Sequence, residues 1–219
     1  MQAGPRDWVE WHNAYDDPAS NLSRRLAVVQ HHLRRAIDDH SGPLRIISMC
    51  AGEGRDVVGV LADHPRREEI AARLVELDPR NAAVARDAAA AAGLERVEVL
   101  EADAGTTDSY EGAVPADTAI PADIILACGI FGNVPDEDVR RTVEHLPLLA
   151  APGATVLWTR GREPNRDFAL TIRDWFTASG YEEVAYDAPD DLRYRVGVHR
   201  LTAPPRPYTP ATRLFTFFR

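Results

Sequence analysis

No lysine occurs among the 219 residues; all 25 basic side chains are arginine. That absence closes the mechanisms that need a lysine amine: Walker-type phosphate loops, pyridoxal phosphate enzymes and dehydrogenases with a Tyr–Lys pair. Cysteine is nearly as scarce. Cys50 and Cys128 cannot build a disulfide framework, and no Cys/His cluster has zinc spacing, so no metal site is expected. Long apolar runs are missing too, since none approaches the roughly 20 residues a membrane helix needs. The opening stretch, "MQAGPRDWVEWHNAYDD", carries early acids and no apolar segment. It does not read as a secretory signal, and a cytoplasmic location is expected. Positive charge is in deficit as well. The net charge of −9 argues against a nucleic-acid partner, because phosphate binding wants a basic surface. The basic run "HHLRRA" (31–36) reads as a solvated helix face.

What is present is an ordinary globular composition, long enough for one domain with a large core. Residues 21–40 form an amphipathic helix pattern, with Leu22, Leu26, Val29, Leu33 and Ile37 near one face and Ser20 or Asn21 as cap. Apolar, β-rich runs follow at 44–49, 72–77, 96–102, 123–128, 154–159, 181–186 and 213–218. Helical patterns at 55–64, 79–93, 135–150 and 165–180 separate most of them, with Pro at several starts and Gly at two ends. This alternation predicts an α/β fold: a single doubly wound, Rossmann-like, seven-stranded and mostly parallel sheet ending in an antiparallel hairpin strand. The stretch 196–210 is hard to place. Residues 1–43 read as an N-terminal cap and helix before a cofactor-binding domain over 44–219, one structural unit in all.

In doubly wound sheets ligands bind beyond the carboxyl ends of the strands, near the switch in strand order. "IISMCAGEGRD" (46–56) puts Gly52 and Gly54 there, where bare backbone can approach a ligand. The second strand leads to Asp78 and the third to Asp103, while Cys128-Gly129 follow the fourth. A carboxylate after the second strand can accept both hydroxyls of a ribose, and Asp103 can accept from an adenine amino group. The plain alternatives are a tight turn at the glycines, a helix cap at Asp78 and a loop cap at Asp103.

At these motifs the chain resembles the class I S-adenosylmethionine-dependent methyltransferases. "IISMCAGEGRD" is similar to that family's first motif, "ELDP" (76–79) to its second, "EADA" (101–104) to its third and "DIILACGIF" (123–131) to its fourth. The resemblance implies S-adenosylmethionine as cofactor. It would lie against Cys50, Ala51, Gly52, Gly54, Asp78, Pro79, Asp103, Ala104, Cys128 and Gly129, with Tyr15 reaching it from the N-terminal segment. Two positions depart from the pattern: Ser48 stands where the family has an acid that orients the methionine end, and Cys50 where it has glycine. The resemblance also implies acceptor specificity from the N-terminal segment and the loops after strands 4 and 5. Trp11, Phe131, Asn133 and Arg160 are the candidates there. The aromatics of 7–21 read equally as a lid or as a clasp. Histidines His12 and His199 are candidate general bases, although a core or surface role is the commoner fate of a histidine. A small-molecule acceptor is expected, without nucleic acid or membrane, and a homodimer is left open. A nicotinamide dehydrogenase on the same sheet, or a non-catalytic cofactor-binding module, are the alternatives; the turn lacks a full G-x-G-x-x-G.

Overall fold

Seven strands form at the apolar runs, the central ones buried on both faces. They are β1 (Leu44–Met49), β2 (Ile70–Glu76), β3 (Val97–Glu101), β4 (Ala122–Ala127), β5 (Ala150–Gly161), β6 (Tyr181–Asp187) and β7 (Tyr194–Leu201). The computed structural model describes residues 13–111, 120–162 and 167–218. Strand order is β3-β2-β1-β4-β5-β7-β6. The first five strands run parallel, while β7 is antiparallel to both β5 and β6. The order reverses between β1 and β4, which opens a crevice at their carboxyl ends.

Among the described residues five α-helices cover the sheet: α1 (Asn21–Asp38), α2 (Val57–Leu61), α3 (Pro79–Ala91), α4 (Asp136–His145) and α5 (Ala169–Ala178). Ser20 caps α1, accepting from the Ser23 N–H at 3.0 Å. Val29, Leu33 and Ile37 of α1 pack with α2, α3 and strand residues such as Ile46 and Ile124 on one face. Successive strand residues point to opposite faces, so Ile47, Ile125 and Val156 join α4 and α5 on the other. Leu26, expected on the core stripe of α1, instead faces the crevice.

Two expectations need correction. The last strand is not 213–218 but Tyr194–Leu201, where all but one residue is buried between β5 and β6. Segment 213–218 does not join a ladder beyond one isolated bridge, Thr106 to Arg213. Its N–H groups go to loops and to α4: Leu214 to the Gly105 carbonyl at 2.8 Å, Thr216 to Asp138 Oδ2 at 2.7 Å and Phe218 to the Asn133 carbonyl at 3.0 Å. Leu214 and Phe215 are both buried there. Second, the 55–64 helix shrinks to Val57–Leu61, since the glycine turn consumes its first residues.

Gly197 of β7 pairs in register with Trp158 of β5, and a Cβ at Gly197 would overlap that indole. Gly197→Ala is therefore expected to destabilise the protein by about 1–3 kcal/mol through overpacking. Urea denaturation of the two proteins measures the difference, and equal midpoints would refute this packing.

Candidate functional site

The turn after β1 is shaped by one carboxylate. Glu76, the last residue of β2, is only 8% exposed. Its Oε2 accepts from the Gly52 N–H at 2.8 Å and its Oε1 from the Asp78 N–H at 2.9 Å. The Ala51 N–H continues the β1–β2 pairing by donating to the Val75 carbonyl at 2.9 Å. Just before these anchors Cys50 adopts φ 51°, the left-handed region, at a cost of about 1–2 kcal/mol for a residue with a Cβ. Gly54, φ 70°, has a packing role: a Cβ there would sit 2.9 Å from Leu74 Cδ2.

Beyond this turn lies a cavity of about 700 Å³, within the ~300–1,000 Å³ range of small-molecule sites. The ends of β1 to β4, one face of α1 and the segment around Phe215 form its walls, and five acids and four arginines line it. Asp78 caps α3 through the Arg80 N–H at 2.9 Å and pairs with the Arg80 guanidinium at 2.7 Å; that hydrogen bond holds its carboxyl below the usual range. Asp103 accepts from the Gly105 N–H at 2.8 Å and from Arg213 at 2.6 Å. Glu53 pairs with Arg55 at 2.5 Å. Asp56 accepts from the Val57 N–H at 2.8 Å, and burial raises its pKa to about 6. Tyr15 accepts from Arg25 at 3.2 Å, lies under the Arg55 guanidinium, and is raised in pKa by burial.

The structure brings Tyr15, Cys50, Ala51, Asp78, Pro79, Asp103, Ala104, Cys128 and Gly129 to this cavity. Gly52 and Gly54 are not among its lining residues: the first gives its N–H to Glu76 and the second packs inward. Both cysteines are free, and burial raises both thiols, which keeps them protonated. They pack against opposite faces of the sheet, Cys50 with one core and Cys128 with the other.

The expected acceptor residues lie elsewhere. Phe131 is fully buried in the core. Arg160, also buried, donates to the Phe131 carbonyl and covers the Phe168 ring at 4.8 Å. Asn133 donates to the Gly129 carbonyl at 2.7 Å and does not line the cavity. His199 is a core residue rather than a base at the site. It is fully buried, stacks on Phe176 at 4.4 Å, and accepts at Nδ1 from the Trp158 indole N–H at 3.1 Å. Burial lowers its pKa to about 4, so it is neutral at pH 7. Trp11 and His12 lie outside the described residues.

Sequence reasoning missed Glu76, Asp56, Asn81, Arg213, Phe215 and Phe217, all lining the cavity. Glu76 had a signal, an acid two positions before Asp78 in the same motif. The tail residues had none, because only the tertiary fold carries them back to the crevice.

A family model described as "Putative methyltransferase" matches residues 21–165, about two thirds of the chain. No curated protein matches the sequence. Among solved structures, magnesium protoporphyrin IX methyltransferase (ChlM) of Synechocystis PCC 6803 with bound SAM is similar at TM-score 0.66 and 11% identity, covering 88% of this chain and 90% of that one. The RNA methyltransferase of Salinibacter ruber in complex with S-adenosyl-L-homocysteine is similar at 0.52 and 17%, covering 86% and 95%. The [4+2]-cyclase SpnF is similar at 0.57 and 15%, covering 85% and 82%. At these identities the likeness is one of fold. No helix among the described residues is long and apolar enough to cross a membrane.

The raised pKa of Asp56 has a measurable sign. Its folded value lies above its ordinary one, so the folded state binds the proton more tightly, and stability falls as pH rises from about 4 through about 6. Asp56→Asn keeps a cap for Val57 and removes that penalty. Its stability relative to wild type is expected to be unchanged near pH 4 and higher by on the order of 2 kcal/mol at pH 7.5. Urea midpoints at the two pH values measure this, and a difference independent of pH would refute it.

Proposed function

The chain belongs to the "Putative methyltransferase" family, and from that premise we propose that it transfers a methyl group from S-adenosylmethionine to a small-molecule acceptor. The observation that carries this reading is the cavity at the switch point, where a buried carboxylate ends β2 and a second acid follows β3. The donor set suits the cofactor. Glu76 takes the ribose hydroxyls, because its carboxylate faces the cavity and is already oriented by two main-chain donors. Asp78, first considered for that role, is engaged by Arg80 as a helix cap and contributes wall instead. Asp103 accepts from the adenine amino group. Asp56 supplies the negative charge for the cationic methionine end, a role left open by Ser48, which is buried in β1.

When bound, the cofactor supplies a sulfonium methyl group that an acceptor atom takes by in-line displacement. The protein's share is alignment and exclusion of water, an effect worth about 7–11 kcal/mol in well-oriented pairs. Tyr15 and Arg55 close one side of the cavity, and Phe215 and Phe217 another. A small molecule fits this enclosed geometry and the net charge of −9 better than a polyphosphate does. The family membership weighs against the nicotinamide dehydrogenase and the non-catalytic module.

Calorimetric titration with S-adenosylhomocysteine is expected to show binding, and its absence at high micromolar ligand would overturn the cofactor reading. Glu76→Gln is expected to weaken that binding by about 1–3 kcal/mol, more than Asp78→Ala does. The reverse order would return the ribose to Asp78. Incubation with methyl-labelled cofactor should place label in a small-molecule metabolite extract. Label in RNA alone would overturn the acceptor class.

A further inference from the structure

Asn81 is a buried polar residue that neither the fold nor the roles above employ. It lies in the first turn of α3, three residues after the cap Asp78, is 1% exposed, and lines the cavity. Among the described residues neither its Oδ1 nor its Nδ2 has a hydrogen-bond partner. A buried carboxamide in that state has lost water at two donors and an acceptor without replacement, which disfavours the fold. An apolar side chain of similar size would line the same wall without that cost. An unpartnered carboxamide at the edge of a ligand cavity is thus a group whose partner arrives with the ligand.

We propose that Asn81 is a specificity-determining residue for the nucleoside, with Nδ2 donating to a purine ring nitrogen. The assignment rests on the S-adenosylmethionine reading given above. Its neighbours narrow the choice of atoms. Glu76, at the end of β2, takes the ribose, and Asp103, beyond the adjacent β3, takes the 6-amino group. The polar atom of the base left between those two ends, on the ribose side, is purine N3. A carboxamide supplies the matching donor. A site built to hydrogen-bond a ligand group rejects the analogue lacking it, because its own buried group is then left unpaired.

The test uses the full chain with S-adenosylhomocysteine and its 3-deaza analogue, in which a C–H replaces N3. Wild type is expected to bind the analogue about tenfold more weakly, a factor equivalent to about 1.4 kcal/mol. Asn81→Leu is expected to bind S-adenosylhomocysteine at least about tenfold more weakly than wild type and not to distinguish the two ligands. Its unfolding temperature without ligand should equal or exceed that of wild type, an outcome that a structural hydrogen-bonding role does not give. The proposal is overturned if Asn81→Leu matches wild type in affinity, or if it loses stability while still discriminating the ligands. Should Asn81→Leu not fold, the wild-type comparison decides: equal affinity for the two ligands overturns the proposal. Wild type that binds neither ligand fails the cofactor reading itself, and this assignment falls with it.

Discussion

A single carboxylate between two turns organises the crevice. Glu76 leaves water with both oxygens engaged by main-chain N–H groups, one from the loop after β1 and one from the entry to α3. Hydrogen bonds to an ionised acceptor are about twice as strong as neutral ones, and inside a protein they are little screened. They fix the loop that carries Cys50 in a left-handed conformation and hold the start of α3 beside it. Without this bridge two buried donors would be orphaned and the turn would have no reason to keep its strained residue.

Around that anchor the polar groups are matched in sign. Asp78, Asp103 and Glu53 each meet an arginine, while Asp56 lies within the field of Arg25. The lack of lysine has a structural counterpart here. Guanidinium groups present planar forks that can grip a carboxylate and also cover an aromatic face, as Arg55 does over Tyr15 at 5.2 Å. The cavity is rigid in its polar frame and apolar over the rest, the combination expected of a site that orients a ligand.

Much of this was legible from composition and periodicity. Six of the seven strands fall within about two residues of their apolar runs or inside a longer strand, and in the central strands burial on both faces leaves a continuous hydrophobic record. Two of the strand-end acids expected at the site, Asp78 and Asp103, do face the cavity. What escaped was set by tertiary contacts. "VGVHRL" reads ambiguously because its histidine is apolar in use, packed between Trp158 and Phe176. "RLFTFF" has the composition of a strand but spends its N–H groups on loops and on a helix side chain. Within "ELDP" the two acids are indistinguishable by type; only the depth of Glu76 and the arginine on Asp78 separate them.

The wall formed by the tail has a consequence for how the molecule comes apart. Asp103 and Arg213 are 110 positions apart in the chain, so their meeting closes one of the longest loops available, with little local structure to hold it. The parallel ladder does not need that contact and can outlast it. Local opening that peels the terminal segment away would leave the sheet whole while uncovering the crevice wall that Arg213, Phe215 and Phe217 form. Amide protons at Leu214 and Thr216 are therefore placed to exchange ahead of those in β1 and β4, and a ligand that bridges the two walls would slow them together.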